Sequence, residues 1–152
     1  MVIKNLSKYI VKDPEVANLL ERYKRYGKKL MVITNSDYNY TNLLLTYTID
    51  PYLKEHKTWR DLFELTITQS AKPRFFTAKN AFLKIDPETE LMSNHFGPVT
   101  DGIYQGGSAL KLQDDLGLDG DEILYIGDRI YGYVVTVNKT CNLKTEMDPK
   151  PP

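Results

Sequence analysis

Cysteine is nearly absent from this chain: Cys141 stands alone among 152 residues. That excludes an internal disulfide framework and fits a reducing compartment. An excess of either charge is also absent, since 20 basic and 20 acidic side chains cancel. A neutral balance argues against a nucleic-acid or anionic-membrane surface. No apolar run approaches the roughly 20 residues needed to cross a bilayer. The opening Met1-Val2-Ile3-Lys4-Asn5-Leu6 lacks the apolar core and small-residue cleavage site of a signal peptide. Internal repeats and low-complexity segments are lacking as well. A cytoplasmic location is expected, with neither nucleic acid nor membrane as partner.

What is present is an ordinary globular mixture, 41% hydrophobic and 26% charged, at the length of one domain. The charge is uneven: residues 1–76 carry 13 basic and 8 acidic side chains, residues 77–152 carry 7 and 12. Such an arrangement would suit a site handling both phosphate and a divalent cation, although solvated faces explain it more plainly. His56 and His95 lie in loop-like contexts without metal-ligand spacing and read as structural or solvated. Nothing beside Cys141 would lower its pKa, so it reads as a plain thiol. Trp59 reads as a loop anchor on the core.

Helical and strand signals alternate. Asp13-Pro14 reads as an N-cap and first turn. Val16, Leu19, Leu20 and Tyr23 follow at helical spacing, with Gly27 as the stop. Leu30-Met31-Val32-Ile33 is a continuous apolar run of the kind found in buried parallel strands, and it ends in Thr34-Asn35-Ser36-Asp37. A helix is predicted over 38–48, stopped near Pro51. A strand is predicted over 62–68, closed by the turn Gln69-Ser70-Ala71-Lys72-Pro73. Residues 75–105 suggest a hairpin or irregular excursion. Gly106-Gly107-Ser108 introduces a helix to Leu116, and Ile123-Leu124-Tyr125-Ile126 is a second buried-type strand stopped by Gly127-Asp128. The last ten residues read as a poorly packed tail. The order implies an α/β fold with a mainly parallel sheet and helices on both faces.

In such sheets ligands sit beyond the carboxyl ends of the strands. That edge should gather Thr34, Asn35 and Ser36, Lys72, and Asp128. A strand-to-helix junction offering hydroxyl, amide and N–H groups suits a phosphate. Lys72 adds a point charge for phosphate oxygens, and Asp128 offers a hard carboxylate for Mg²⁺. Positioning plus charge stabilisation is most of what phosphoryl transfer asks of a protein.

These motifs and their order resemble the haloacid dehalogenase superfamily, and within it the cytosolic purine 5′-nucleotidases. Ile33-Thr34-Asn35-Ser36-Asp37-Tyr38-Asn39-Tyr40-Thr41 is similar to the family's second motif, Ala71-Lys72-Pro73-Arg74-Phe75-Phe76 to its lysine motif, and 123–132 to its metal motif. Tyr104-Gln105-Gly106-Gly107-Ser108 and Tyr9-Ile10-Val11-Lys12-Asp13 also resemble family sequence. The resemblance covers residues 3–140, with 141–152 a divergent tail. It implies a Rossmann-like core in which Thr34, Asn35 and Ser36 bind the phosphate of a purine nucleoside monophosphate such as IMP or GMP. Lys72 would neutralise that phosphate, Asp128 would hold Mg²⁺, and Tyr131 and Lys139 would belong to a nucleotide effector site.

The chain also departs from the family. The family's Asp-x-Asp-x-Thr motif supplies the aspartate that becomes phosphorylated and a general acid/base. No such motif precedes Thr34, and Asp13, before a proline at a helix start, cannot serve. The expected fold is therefore partial, without the nucleophile strand and cap domain, and the 152 residues are expected to be catalytically incompetent alone. They would persist as a fragment, as a homo-oligomer or beside a complementing chain. The second metal aspartate is replaced by Tyr133, a poor Mg²⁺ ligand with a phenol pKa of about 10. Gln69 and Ala71 replace an aspartate and an arginine near the lysine. These losses leave a second reading open, a non-catalytic remnant that binds a nucleotide or protein partner. A third, an unrelated flavodoxin-like binding domain, leaves three ordered motifs unexplained.

Overall fold

The structure, a computed structural model, describes residues 12–118, 123–127 and 144–147. Helix α1 (Pro14–Arg25) starts where expected, with the Asp13 carboxylate accepting from the Glu15 N–H at 3.0 Å. Its buried face is not the expected one. Val16, Leu19 and Tyr23 are 44%, 45% and 41% exposed, while Ala17 and Glu21 are buried. The rotation follows from Glu21, whose carboxylate turns inward to bond the loop at 54–56; only Leu20 of the expected stripe packs against the core.

Strand β1 (Met31–Ile33) leads into α2 (Tyr38–Thr48), capped by the Asp37 carboxylate on the Tyr40 N–H at 2.7 Å. A single 3₁₀ turn at Asp50–Tyr52 ends that segment. The expected strand over 62–68 divides. Trp59–Leu62 forms a short helix, α3, and β2 occupies Leu65–Thr68. Trp59 is the anchor its size suggested: its N–H donates to Asp50 Oδ1 at 2.7 Å and its ring N–H to Asn42 Oδ1 at 3.0 Å. Residues 75–105 resolve into β3 (Phe82–Ile85), β4 (Met92–His95) and β5 (Gly102–Gly106), followed by α4 (Ala109–Leu116).

The main sheet has the order β1-β2-β5-β3-β4. β1, β2 and β5 run parallel, and the β3–β4 hairpin adds antiparallel to β5. Side chains alternate across it and feed two cores. Leu65, Ile67, Phe82 and Tyr104 pack with Phe75, Phe76 and α4 on one face. Ile85 and Ile103 pack with Ala17, Tyr38, Trp59 and Leu62 on the other. This is the expected α/β layering with helices on both faces.

Strands β6 (Leu124–Gly127) and β7 (Lys144–Met147) form a separate parallel pair. The expectation of a poorly packed tail therefore fails at 144–147, where alternating backbone bonds to β6 give the segment a place. Among the described residues β1 pairs only with β2, and β6 only with β7. β1 is half-buried along its length.

Gly107, between β5 and α4, has φ +85°, and a Cβ there would lie 2.0 Å from the ring of Phe82, itself fully buried. Gly107→Ala combines overpacking with a left-handed backbone and should cost about 2–4 kcal/mol. Gly97→Ala, whose nearest neighbour would be 3.7 Å away, should change stability by less than about 0.5 kcal/mol. Urea midpoints for the two variants check this.

Candidate phosphate-facing site

Two loops leave adjacent parallel strands at their carboxyl ends: 34–37 after β1 and 69–73 after β2. They are bonded to each other. The Thr34 N–H donates to the Ile67 carbonyl at 2.8 Å, extending the β1–β2 ladder by one bond. The Gln69 N–H donates to Ser36 O at 2.8 Å and the Ser70 N–H to Thr34 O at 3.0 Å. Gln69 and Ala71 sit in the left-handed region, at φ 42° and 61°. For residues with a Cβ that costs about 1–2 kcal/mol each, so the crossing bonds are what hold the turn.

The Thr34 hydroxyl accepts from the Ser36 N–H at 3.1 Å, which leaves its own proton to donate elsewhere. The Lys72 ammonium donates to the Ile33 carbonyl at 2.9 Å, at the very end of β1. Thr34, Asn35, Ser36 and Lys72 thus converge on one sheet edge. A shallow depression of about 640 Å³, lined by Ser36, Asp37, Asn39, Tyr40 and Leu43, opens beside them. Asn35 behaves differently from the expectation of a group presented to a ligand. Its Oδ1 accepts from Ser70 Oγ at 3.0 Å and the Lys72 N–H at 2.8 Å, and its Nδ2 donates to the Lys72 carbonyl at 3.2 Å. Asp128, Tyr131, Tyr133 and Lys139 lie outside the described residues; β6 ends at Gly127, the residue before Asp128.

A second polar cluster was not foreseen. Glu21 is 1% exposed. Its two carboxylate oxygens accept from the Lys54 N–H at 2.9 Å and the Glu55 N–H at 2.6 Å, and Oε2 also lies 2.9 Å from His56 Nδ1. Glu55 pairs with Arg25. One ligand atom from each of Glu21, Glu55 and His56 falls within 4.8 Å of the others, the possible metal-holding group among the described residues. It does not fit Mg²⁺, which wants near-octahedral oxygen ligands. Both Glu21 oxygens already face N–H donors, the third member is an imidazole, and Arg25 holds Glu55. The cluster pins α1 to the segment leading into α3. A lone glutamate on a helix with an apolar stripe reads as solvated, so only the loop's demand for an acceptor reveals it.

Residues 1–147 match the model of the 5′ nucleotidase family. The chain belongs to the 5′-nucleotidase family. It is 30% identical over 149 residues to a 5′-nucleotidase domain-containing protein of Dictyostelium discoideum, covering 95% of this chain and 25% of that protein. It is also 30% identical over 130 residues to human 5′-nucleotidase domain-containing protein 2, covering 84% of this chain and 24% of that one. The chain spans about a quarter of the length of these curated relatives. The 5′-nucleotidase match continues past Cys141 to residue 147, further than the motifs alone reached, and so takes in β7. Among the described residues no helix is long and apolar enough to cross a membrane.

Burial alone would raise the Glu21 pKa. The N–H of Lys54, the His56 ring and the N–H of Glu55 outweigh it and hold the carboxyl below its ordinary 4.5. A depressed carboxylate contributes stability above its unfolded pKa and loses it as pH falls through the folded value. Wild type should therefore lose stability as pH drops below about 5. Glu21→Gln should be weaker by about 2 kcal/mol at pH 7 and show a flatter acid limb. Urea unfolding of both proteins from pH 7 to pH 3 measures it.

Proposed function

We propose that this chain supplies the phosphate-holding part of a Mg²⁺-dependent purine 5′-nucleotidase, acting on nucleoside monophosphates such as IMP and GMP through an aspartyl-phosphate. One observation carries the reading: the Lys72 ammonium lies at the carboxyl end of β1, on the edge where Thr34, Asn35 and Ser36 stand. A cation and a hydroxyl at a strand-to-helix junction are the groups a phosphate monoester needs. Thr34 would donate its hydroxyl proton to a phosphate oxygen, and Lys72, held at the end of β1, would neutralise the charge. Asp128, next after β6, would hold Mg²⁺, which supplies charge neutralisation for the transferring phosphoryl group. Tyr131 and Lys139 would serve a nucleotide effector.

The nucleophile is, in this reading, supplied from outside these 152 residues, which hold no Asp-x-Asp-x-Thr motif before Thr34. In this reading the chain works in the cytoplasm with a complementing segment or chain, or as a homo-oligomer. The outer edges of β1 and β6, each with one partner among the described strands, are where such a strand would add. Tyr133, in place of an acidic metal ligand, favours a second reading in which the chain binds a nucleotide or protein partner without turnover.

Residues 1–152 alone, given IMP and Mg²⁺, should release no phosphate above the uncatalysed rate, while binding IMP. Lys72→Ala should weaken that binding about tenfold or more. Mg²⁺-dependent turnover abolished by Asp128→Asn would contradict the first statement. Undiminished IMP binding by Lys72→Ala would contradict the second.

A further inference from the structure

We propose, resting on the phosphate-site reading above, that Asn35 and the buried Ser70 are positioning residues: together they form a latch that sets where Lys72 stands. Asn35 offers four hydrogen-bonding positions, two lone pairs and two N–H. Three are taken by the 70–72 loop: Oδ1 by Ser70 Oγ at 3.0 Å and the Lys72 N–H at 2.8 Å, and one N–H by the Lys72 carbonyl at 3.2 Å. The amide therefore grips both backbone polar groups of one residue, Lys72, as a neighbouring strand would. Ser70 is fully buried and touches no ligand approaching the sheet edge. Its hydroxyl donates to Asn35 Oδ1. The turn on which Lys72 rides has Gln69 and Ala71 in the left-handed region. With the latch removed it would relax toward commoner backbone conformations and carry the ammonium off the end of β1.

The latch divides labour along the Thr34-Asn35-Ser36 segment. Thr34 keeps a hydroxyl proton for the anion, while Asn35 spends its side chain on Lys72. Preorganising a cation before the anion arrives removes the ordering cost from binding.

The test uses residues 1–152 with inorganic phosphate as the probe, read by calorimetry, and amide exchange of the Lys72 N–H read by NMR. Ser70→Ala should weaken phosphate binding about three- to tenfold although Ser70 cannot reach the anion. Combined with Lys72→Ala it should cost nothing further, because its whole effect runs through Lys72. Asn35→Ala should speed exchange at Lys72 at least about tenfold, leaving Ile67 in β2 unchanged. Asn35→Asp keeps the acceptor for Ser70 and the Lys72 N–H, and should restore that protection while binding phosphate poorly. Additive losses for Ser70→Ala and Lys72→Ala, or unchanged Lys72 exchange in Asn35→Ala, would overturn the latch. If wild type binds no phosphate, the phosphate-site reading fails instead, and the exchange measurements alone decide whether the latch exists.

Discussion

The arrangement at the carboxyl edge depends on the stitching of two loops, 34–36 and 69–72, by backbone and side-chain hydrogen bonds. Parallel strands β1 and β2 bring the loops side by side, but strand pairing stops at Ile33↔Ile67. Beyond it, three backbone bonds and three Asn35 bonds continue the contact. Each is worth about 0.5–1.5 kcal/mol net, enough together to offset two left-handed residues. Without them a lysine on a five-residue turn would have no fixed position. With them its ammonium lies 2.9 Å from a strand carbonyl.

A second polar knot does the same work at the other end of the unit. Glu21 accepts two backbone N–H groups and faces His56, while Lys24 donates to the carbonyls of Asp61 and Leu62 at 3.0 and 2.9 Å. These bonds fix α1 against the segment entering β2 and set its rotation. They explain why Val16, Leu19 and Tyr23 stay half-open to solvent. A buried carboxylate with three partners outranks an apolar stripe, because leaving it unpaired inside would cost more than exposing a few apolar groups.

Much of this was legible in the residues. The cap at Asp13 and the Gly106-Gly107-Ser108 lead-in placed the starts of α1 and α4 to within a residue or so, since both act through local geometry, and the helix expected over 38–48 forms there. The apolar run before Thr34 and the turn before Lys72 foretold a shared edge, because parallel strands put successive carboxyl ends together. The inward face of α1 was not legible, since Glu21's partners lie more than 30 residues away. The start of α3 is local, with Thr58 as N-cap in a capping box with Asp61, and Asp50, nine residues back, takes the Trp59 N–H. For the tail, Lys144-Thr145-Glu146-Met147 has little apolar character, and only pairing with β6 makes it a strand. The role of Asn35 was half legible: an amide beside a threonine suggests a ligand group, and nothing in the sequence says it faces Lys72.

On the proposed reading Thr34, Ser36 and Lys72 face an anion from one sheet edge, and Asn35 holds Lys72 in place. A ¹⁵N-resolved NMR titration of residues 1–152 with inorganic phosphate decides it. Shift changes should concentrate at the amides of 34–36 and 70–72, with those of Glu21, Glu55 and His56 unmoved. Changes centred on the Glu21 cluster or on the β3–β4 hairpin, with 34–36 silent, would contradict it.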